Sequence, residues 1–516
     1  MNQTGRSHPE VEKTASGLGE SVVTRRRLLQ QAGCVIAATA ISPVMAGAAQ
    51  QLTPAAPVAA NVPGSNAMDK LSAYMGEAHG RALPGEVVEK AKQHILDTFA
   101  AMISGAELPP GQVALKFARS QAAGTVATVV ASDVVCGPLE AAMANGMLAH
   151  SDETDDSHAA AHCHPGCGIV PAALATGEQF GTSGTHFLRA VTLGWDVGTR
   201  VTMNLGGVPW EKQTHRSTHS IANTFGASAA AGCAAGLNAR QMRWVLDYAA
   251  QQASGTLAWQ RDSDHIQKSL VFAGFSARNG VSAALIIQLG GTGVDDIFTG
   301  ADNFLLAEDS KGGPDGLVDK LGERYEITRT NIKKWTVGSP IQAVLDAIEI
   351  MQKRHPFEAS QVRAVVVRLG TSAAKTVNNR EIPDINVQHL VAIMLIDKTV
   401  SFRAAHDLAR VNDAAVLRER AKVQLIPDEE MERNLPRREA LVEITLNDGT
   451  RFSERVTAVR GTVQNPMTRE EVVAKAHDLI TPVLGAATCA SLIDRVLTIE
   501  SLRDIRELRP LLQRNG

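Results

Sequence analysis

Residues 221–236, IANTFGASAAAGCAAG, carry almost no bulky side chain beyond Phe225. A helix built from residues this small has little apolar surface of its own to bury. It is stable only where neighbouring helices close tightly on it. That points to a helical body with closely packed elements. The wider composition agrees, because aromatics make up only 4% of the chain while glycine alone numbers 43.

The helical pattern runs from about residue 68 to 320. Val88, Ala91, Ile95, Phe99 and Met102 recur at helical spacing across 86–104, with Pro84 before the run and Gly105 at its end. After about residue 325 the character changes. VRAVVVRL at 362–369 is a β-rich run, and 423–426 is a shorter one. Val442, Ile444 and Leu446 alternate with Glu443 and Thr445, Asn447-Asp448-Gly449 is a hairpin turn signal, and the chain returns over 451–459. Ser339-Pro340 reads as a helix start. Thr468 with Glu471 forms a capping-box pattern where helix resumes. A chain of 516 residues predicts more than one domain. The expected division is a helical domain over 67–322, an α/β domain over 323–462, and a helical return over 463–516.

The first residues read as a targeting segment, with a signal over 1–48 and an Ala/Pro/Val-rich leader over 49–66. Arg25, Arg26 and Arg27 precede an apolar run from Gly33 to Met45, and Ala46-Gly47-Ala48 offers a small-residue cleavage site. Paired arginines in that place predict twin-arginine export to the periplasm. The run is too short to span a bilayer, so no stable membrane association is expected after processing. With Cys34 in the signal, five cysteines remain (Cys136, Cys163, Cys167, Cys233 and Cys489), and an odd number excludes an all-disulfide framework. A net charge of -3 argues against a nucleic-acid partner.

The densest chemistry lies in NGMLAHSDETDDSHAAAHCHPGCG, residues 145–168. A loop between two small-residue helices there holds Glu153, Asp155, Asp156, His158, His162 and His164. One reading is a metal site from His158, His162, Cys163, His164 and Cys167, although no CxxC pair is present. Another is acid–base catalysis with His164 as proton carrier and carboxylates orienting it. A third is a satisfied polar loop. Two more segments carry reactive groups: THRSTH at 214–219, which enters the small-residue helix and could bind an anion at its start, and the stretch from Trp259 through His265 to Lys268.

Taken together these segments resemble the MmgE/PrpD family of 2-methylcitrate dehydratases and cis-aconitate decarboxylases. The resemblance rests on NGMLAHSDETDDSH…HPG, on GWDVGTRV at 194–201, on HSIANTFGASAAAG, on KSLVFAGFSARNG and on NIKKWTVGSPIQA, in that order. It covers about residues 68–500. It implies a mainly α protein: a helical domain built from both chain ends, with an inserted α/β lid. It implies a homodimer, and a site between the domains that takes a small di- or tricarboxylate with no metal and no cofactor. By position, the catalytic set is His164, Lys268, Lys333, Glu153 and Asp155. The substrate-binding set is His219, with His215 left open as the alternative, Ser157, Asp156, Arg200 and the lid residue His389. Ser157 stands where the family often has Thr, and His389 where it often has Tyr, so the pocket differs from the family pattern. The implied activity is a metal-independent lyase, dehydration foremost, with decarboxylation or epimerisation served by the same proton chemistry. A periplasmic carboxylate-binding protein without turnover is the competing reading.

Overall fold

The computed structural model describes residues 65–514. The expected export signal and nearly all of the leader lie outside the described residues. The fold is mainly helical, with one small mixed sheet.

The small-residue helix, Thr218–Ala234, is the central element, and all of its residues are buried. Helix Gly184–Leu205 closes on one side of it, where a Cβ on Gly194 would lie 2.8 Å from the Gly226 carbonyl oxygen. Residues 266–288 close on the other side, where a Cβ on Gly280 would lie 2.5 Å from the Ala227 carbonyl carbon. Glycine is required at both contacts because the backbones themselves meet. The 266–288 segment is one continuous helix with a π turn over 270–274. It is long and apolar enough to cross a membrane, but more than half of its apolar window is buried against its neighbours, as in a core helix.

Helix Gly85–Gly105 anchors the main core through Ile95, Phe99 and Met102. The far end of the chain completes that core. Thr468 and Glu471 form the capping box of helix Arg469–Leu484, and Val472, Leu479 and, beyond it, Leu492 pack into the same cluster as Phe99. The helical domain is therefore built from both ends of the chain.

The inserted lid has its own core around Val344, Val365, Leu390 and Ile444. A two-residue pairing, β1 (Ala127–Thr128) with β2 (Val135–Cys136), lies in the helical domain. The lid sheet contains β3 (Val362–Gly370), β4 (Val423–Asp428), β5 (Ala440–Leu446) and β6 (Arg451–Val456) in the order β4-β3-β5-β6. β3 pairs parallel with β4, setting Val365 opposite Val423, and antiparallel with β5, setting Val365 opposite Ile444. β5 and β6 form the hairpin around Asn447-Asp448-Gly449. Burial alternates strictly along β5, so one sheet face is covered by the lid's helices.

The boundary differs from expectation. Tyr325, Ile327 and Ile332 remain in the helical core, and the lid core begins at Trp335 rather than at 323. The connecting stretch has no periodic pattern, so its loyalty to the first core is invisible in the sequence.

Candidate active site

The acid- and histidine-rich loop runs from His150 to Pro165, between helices Pro138–Ala149 and Gly166–Phe180. It is almost wholly buried, so its polar groups need partners. Asp156 Oδ1 accepts from Gly166 N at 3.0 Å, and its Oδ2 lies 3.0 Å from His94 Nδ1. Lys475, on the last long helix, donates to the Thr154 carbonyl at 2.9 Å and lies 2.6 Å from Asp97 Oδ1. Ser157 exchanges backbone hydrogen bonds with Asn331 at 3.0 and 2.8 Å. That bridge brings the start of the lid, with Lys333, against the loop.

Asp155 is the hub. Its Oδ2 lies 2.8 Å from His150 Nδ1 and its Oδ1 lies 3.1 Å from His164 Nδ1. Burial pushes this carboxyl up, but His150 and His164 outweigh it and hold Asp155 well below the usual carboxylate range. His164 Nδ1 also donates to the Asp156 carbonyl at 2.6 Å. The ring is thereby oriented from one side, and Nε2 is the nitrogen left to exchange a proton.

Three imidazoles pack around Phe272, and a fourth adjoins one of them. His219 stacks on it at 4.2 Å between centroids and His150 at 5.2 Å. His164 stacks on His219 at 5.2 Å, and His265 approaches His150 at 5.1 Å. Burial holds His219 and His265 well below their ordinary values and lowers His150 despite Asp155 beside it.

Two ammonium groups face this wall. Lys268 pairs closely with Glu153 Oε1 and sits 5.4 Å over the Trp259 ring. Lys333 donates to the Glu153 carbonyl at 2.8 Å and lies 3.4 Å from Glu153 Oε2 and 3.7 Å from Asp155 Oδ1. Burial opposes the charge on Glu153, but Lys268 and Lys333 hold its carboxyl well below the usual range. Burial likewise pulls Lys333 down, and the neighbouring carboxylates Glu153 and Asp155 more than reverse that. A carboxylate held between two ammoniums, with an oriented imidazole beside it, is an arrangement for proton transfer next to a bound acid.

The structure thus gathers Glu153, Asp155, His164, His219, Lys268 and Lys333. His219 rather than His215 faces the cluster; His215 is exposed at the end of helix Gly207–Thr214. Four further expected substrate contacts stand apart from this cluster in the structure. Arg200 is committed elsewhere, donating to the carbonyls of Asp319 at 2.5 Å and Arg324 at 2.8 Å, so it pins the approach to the lid. Asp156 has both oxygens engaged as a helix cap and a His94 partner. Ser157 pairs through its backbone with Asn331. His389 lies in the lid core with neither ring nitrogen partnered, and burial, with Arg420 and Arg410 nearby, lowers it to about 4.

Deeper in the lid, His406 also reaches the loop, with Nε2 2.9 Å from Asp152 Oδ2 and 3.9 Å from Asp384 Oδ2. Sequence reasoning missed it, as it missed His150, His265 and Lys475. His150 and His265 stood inside segments already marked as reactive. His406 and Lys475 carried no local signal.

The proposed metal set of His158, His162, Cys163, His164 and Cys167 does not converge. His158 Nε2 lies 3.2 Å from Glu326, His162 Nδ1 lies 3.3 Å from Glu211, and Cys167 Sγ donates to the His164 carbonyl. Side chains that could hold an ion instead group as His150, Asp155 and His164; as His150, Glu153 and His265; as His162, Glu211 and His219; and as Asp152, Asp384 and His406.

The chain matches the model of the MmgE/PrpD N-terminal domain over residues 69–312 and that of the MmgE/PrpD C-terminal domain over 335–499. It is similar to the cis-aconitate decarboxylase-like protein oryM of Aspergillus oryzae, with 24% identity over 88% of this chain and 98% of the relative. It is similar to the cis-aconitate decarboxylase of Aspergillus terreus, with 26% identity over 83% and 92% of the two chains. The cis-aconitate decarboxylase of Homo sapiens is 25% identical over 84% and 91%.

Proposed function

The chain belongs to the MmgE/PrpD family, and from that premise we propose that it is a lyase acting on a small di- or tricarboxylate, without a metal, by proton transfer at a carbon beside a carboxylate. The observation that carries this reading is the Glu153 carboxylate bracketed by Lys268 and Lys333. A substrate carboxylate competes for those ammoniums, and its reacting carbon then lies beside His164. In decarboxylation the bond to the departing carboxylate breaks, its electron pair passes to the adjacent carbon, and His164 supplies the proton that carbon takes up. In dehydration His164 removes the proton instead, as hydroxide leaves from the neighbouring carbon. Both build negative charge where the lysines stand. Decarboxylation is the reading the named relatives support.

The test is turnover by the purified protein in D2O. Cis-aconitate and 2-methylcitrate are supplied separately, and product and CO2 are followed by NMR and gas analysis. CO2 release with deuterium in the product supports decarboxylation, and water loss from 2-methylcitrate supports dehydration. Binding of both without turnover would replace the lyase reading with a carboxylate-binding protein.

We also propose a homodimer, supported by the apolar side chains Phe275, Ile286 and Leu289 left exposed along helix 275–288 and just beyond it. Light scattering on the purified protein tests that. Twin-arginine export is proposed on Arg25 and Arg26 ahead of the apolar run. Replacing both with Lys should leave uncleaved protein in the cytoplasm.

A further inference from the structure

One of the ion-sized groups named above has no lysine paired with its carboxylate. Glu211 is on helix Gly207–Thr214, His162 lies in the histidine loop, and His219 is in the first turn of the small-residue helix Thr218–Ala234. Their polar atoms converge. His162 Nδ1 lies 3.3 Å from Glu211 Oε1, His219 Nδ1 lies 3.9 Å from Glu211 Oε2, and one atom from each residue falls within 4.8 Å of the other two. Around a tetrahedral ion with bonds of about 2.0–2.1 Å, ligand atoms stand roughly 3.3 Å apart. One edge already has that length, and the others need modest ring movement.

The protein leaves these atoms unsatisfied. Both Nδ1 atoms are buried and make no hydrogen bond. Glu211 is 3% exposed, and among the described residues no lysine or arginine pairs with it. The cations on the same stretch are engaged, Lys212 lying 3.9 Å from Glu432 and Arg216 2.7 Å from Glu308, and Lys268 is paired with Glu153. A buried carboxylate without a countercharge is costly. Thr218 holds two of the three groups in place. Its N–H donates to Glu211 Oε2 at 3.3 Å, and its hydroxyl lies 2.5 Å from the same oxygen and 2.7 Å from the His162 carbonyl. Such outer support is what orients metal ligands. Burial holds His219 well below its ordinary value, and the unprotonated ring is the form that ligates. The His162 side chain is 27% exposed, which gives an ion a way in. Two imidazoles and a carboxylate, with a fourth position for water, suit a transition metal better than calcium or magnesium.

We propose that His162, Glu211 and His219 form a binding site for one divalent transition-metal ion of the zinc class. The ion ties the histidine loop to two helices and fixes the His219 ring that stacks on Phe272. It is a brace and supplies no step of the lyase chemistry above.

The experiment is calorimetric titration of the chelator-treated full chain with zinc sulfate and, separately, magnesium sulfate, repeated on Glu211→Gln, His162→Asn and His406→Gln. Glutamine keeps an acceptor for Thr218, and asparagine suits the left-handed backbone at position 162, where φ is 52°. The unaltered protein should hold one zinc tightly and no magnesium, and its melting temperature should rise with zinc. Glu211→Gln and His162→Asn should each weaken zinc binding by at least about a hundredfold, the upper end of what loss of a supporting partner costs, and should lose the rise in melting. His406→Gln, at a different ion-sized group, should keep both. Circular dichroism checks folding, and a misfolded Glu211→Gln leaves His162→Asn, changed at a partly exposed side chain, to decide. No saturable zinc binding by the unaltered protein, unaltered zinc binding by folded His162→Asn, or loss of binding in His406→Gln alone would overturn the site. The lyase reading stands or falls separately, on turnover.

Discussion

His406 Nε2 lies 2.9 Å from Asp152 Oδ2, so an ion pair fastens the lid to the reactive loop across two separate hydrophobic cores. His406 Nδ1 is held by the Phe402 carbonyl at 2.8 Å, which leaves the ring no alternative orientation with equal bonding. Burial works against charge on this ring, but the hydrogen bond to Asp152 and the charges of Asp152 and Asp384 outweigh it and raise His406 from 6.5 to about 9.

That shift predicts a pH-dependent latch. A raised folded-state pKa contributes stability that is complete below the unfolded value of 6.5 and is lost as pH climbs through about 9. The loss should amount to roughly 2–3 kcal/mol. Thermal melting followed from pH 6.5 to 9.5 should fall in the natural protein and stay flatter in His406→Gln. Parallel curves for the two would remove the latch.

Lys333 is predicted to matter to folding as well as to binding. Removing it strands the buried carboxylates Glu153 and Asp155 with one cation fewer, so Lys333→Met should lose roughly 3–5 kcal/mol. Adding Glu153→Gln should restore much of that, because the group needing compensation is gone. Denaturant melts of the two single variants and the double variant measure the coupling. A double variant no more stable than Lys333→Met would contradict the pairing.

His164 and Lys268 should separate turnover from affinity. His164→Gln should lower turnover by about 10²–10⁴-fold, since it removes the group that carries the proton. Lys268→Met should weaken carboxylate binding by about ten- to a hundredfold. Neither change deletes core apolar volume, so both variants should keep the native circular dichroism. Folded variants with unaltered kinetics would show that the cluster is not the active site.

Chelation should leave turnover intact. The groups of His and carboxylate oxygens near Asp155 and Glu153 are close enough to ligate an ion, but Lys268 and Lys333 stand among them and repel a cation. Elemental analysis of active protein, before and after dialysis against a chelator, checks this. Stoichiometric metal whose removal abolishes turnover would replace the proposed chemistry.

Much of this architecture was readable from local pattern. The absence of large side chains over 221–236 announced a helix that only close neighbours could stabilise, and Gly194 and Gly280 are where those neighbours touch. The hairpin turn at Asn447-Asp448-Gly449 and the cap at Thr468 depend on adjacent residues alone, and both stand where expected. Lys268 and Lys333 were recognisable because each sits in a distinctive segment. His389 and Arg200 stand apart from the cluster for the opposite reason. Their segments fit the family pattern, but the direction of a side chain is decided by packing, which turned His389 into the lid core and Arg200 toward the Asp319 and Arg324 carbonyls. His406 was out of reach, because its importance comes from Asp152, a residue hundreds of positions away whose proximity only the folded lid creates.

Lys475 gives the chain a built-in order of events. The carbonyl it holds belongs to Thr154, 321 residues earlier, and the same ammonium neutralises Asp97 deep under the loop. A ribosome completes the histidine loop, both site lysines and the entire lid before it reaches this residue. Until then Asp97 has lost its partner and Thr154 its tether, so the nascent chain carries every reacting group without the brace that aligns them. The loop and Asp97 are braced only once nearly the whole chain has been made.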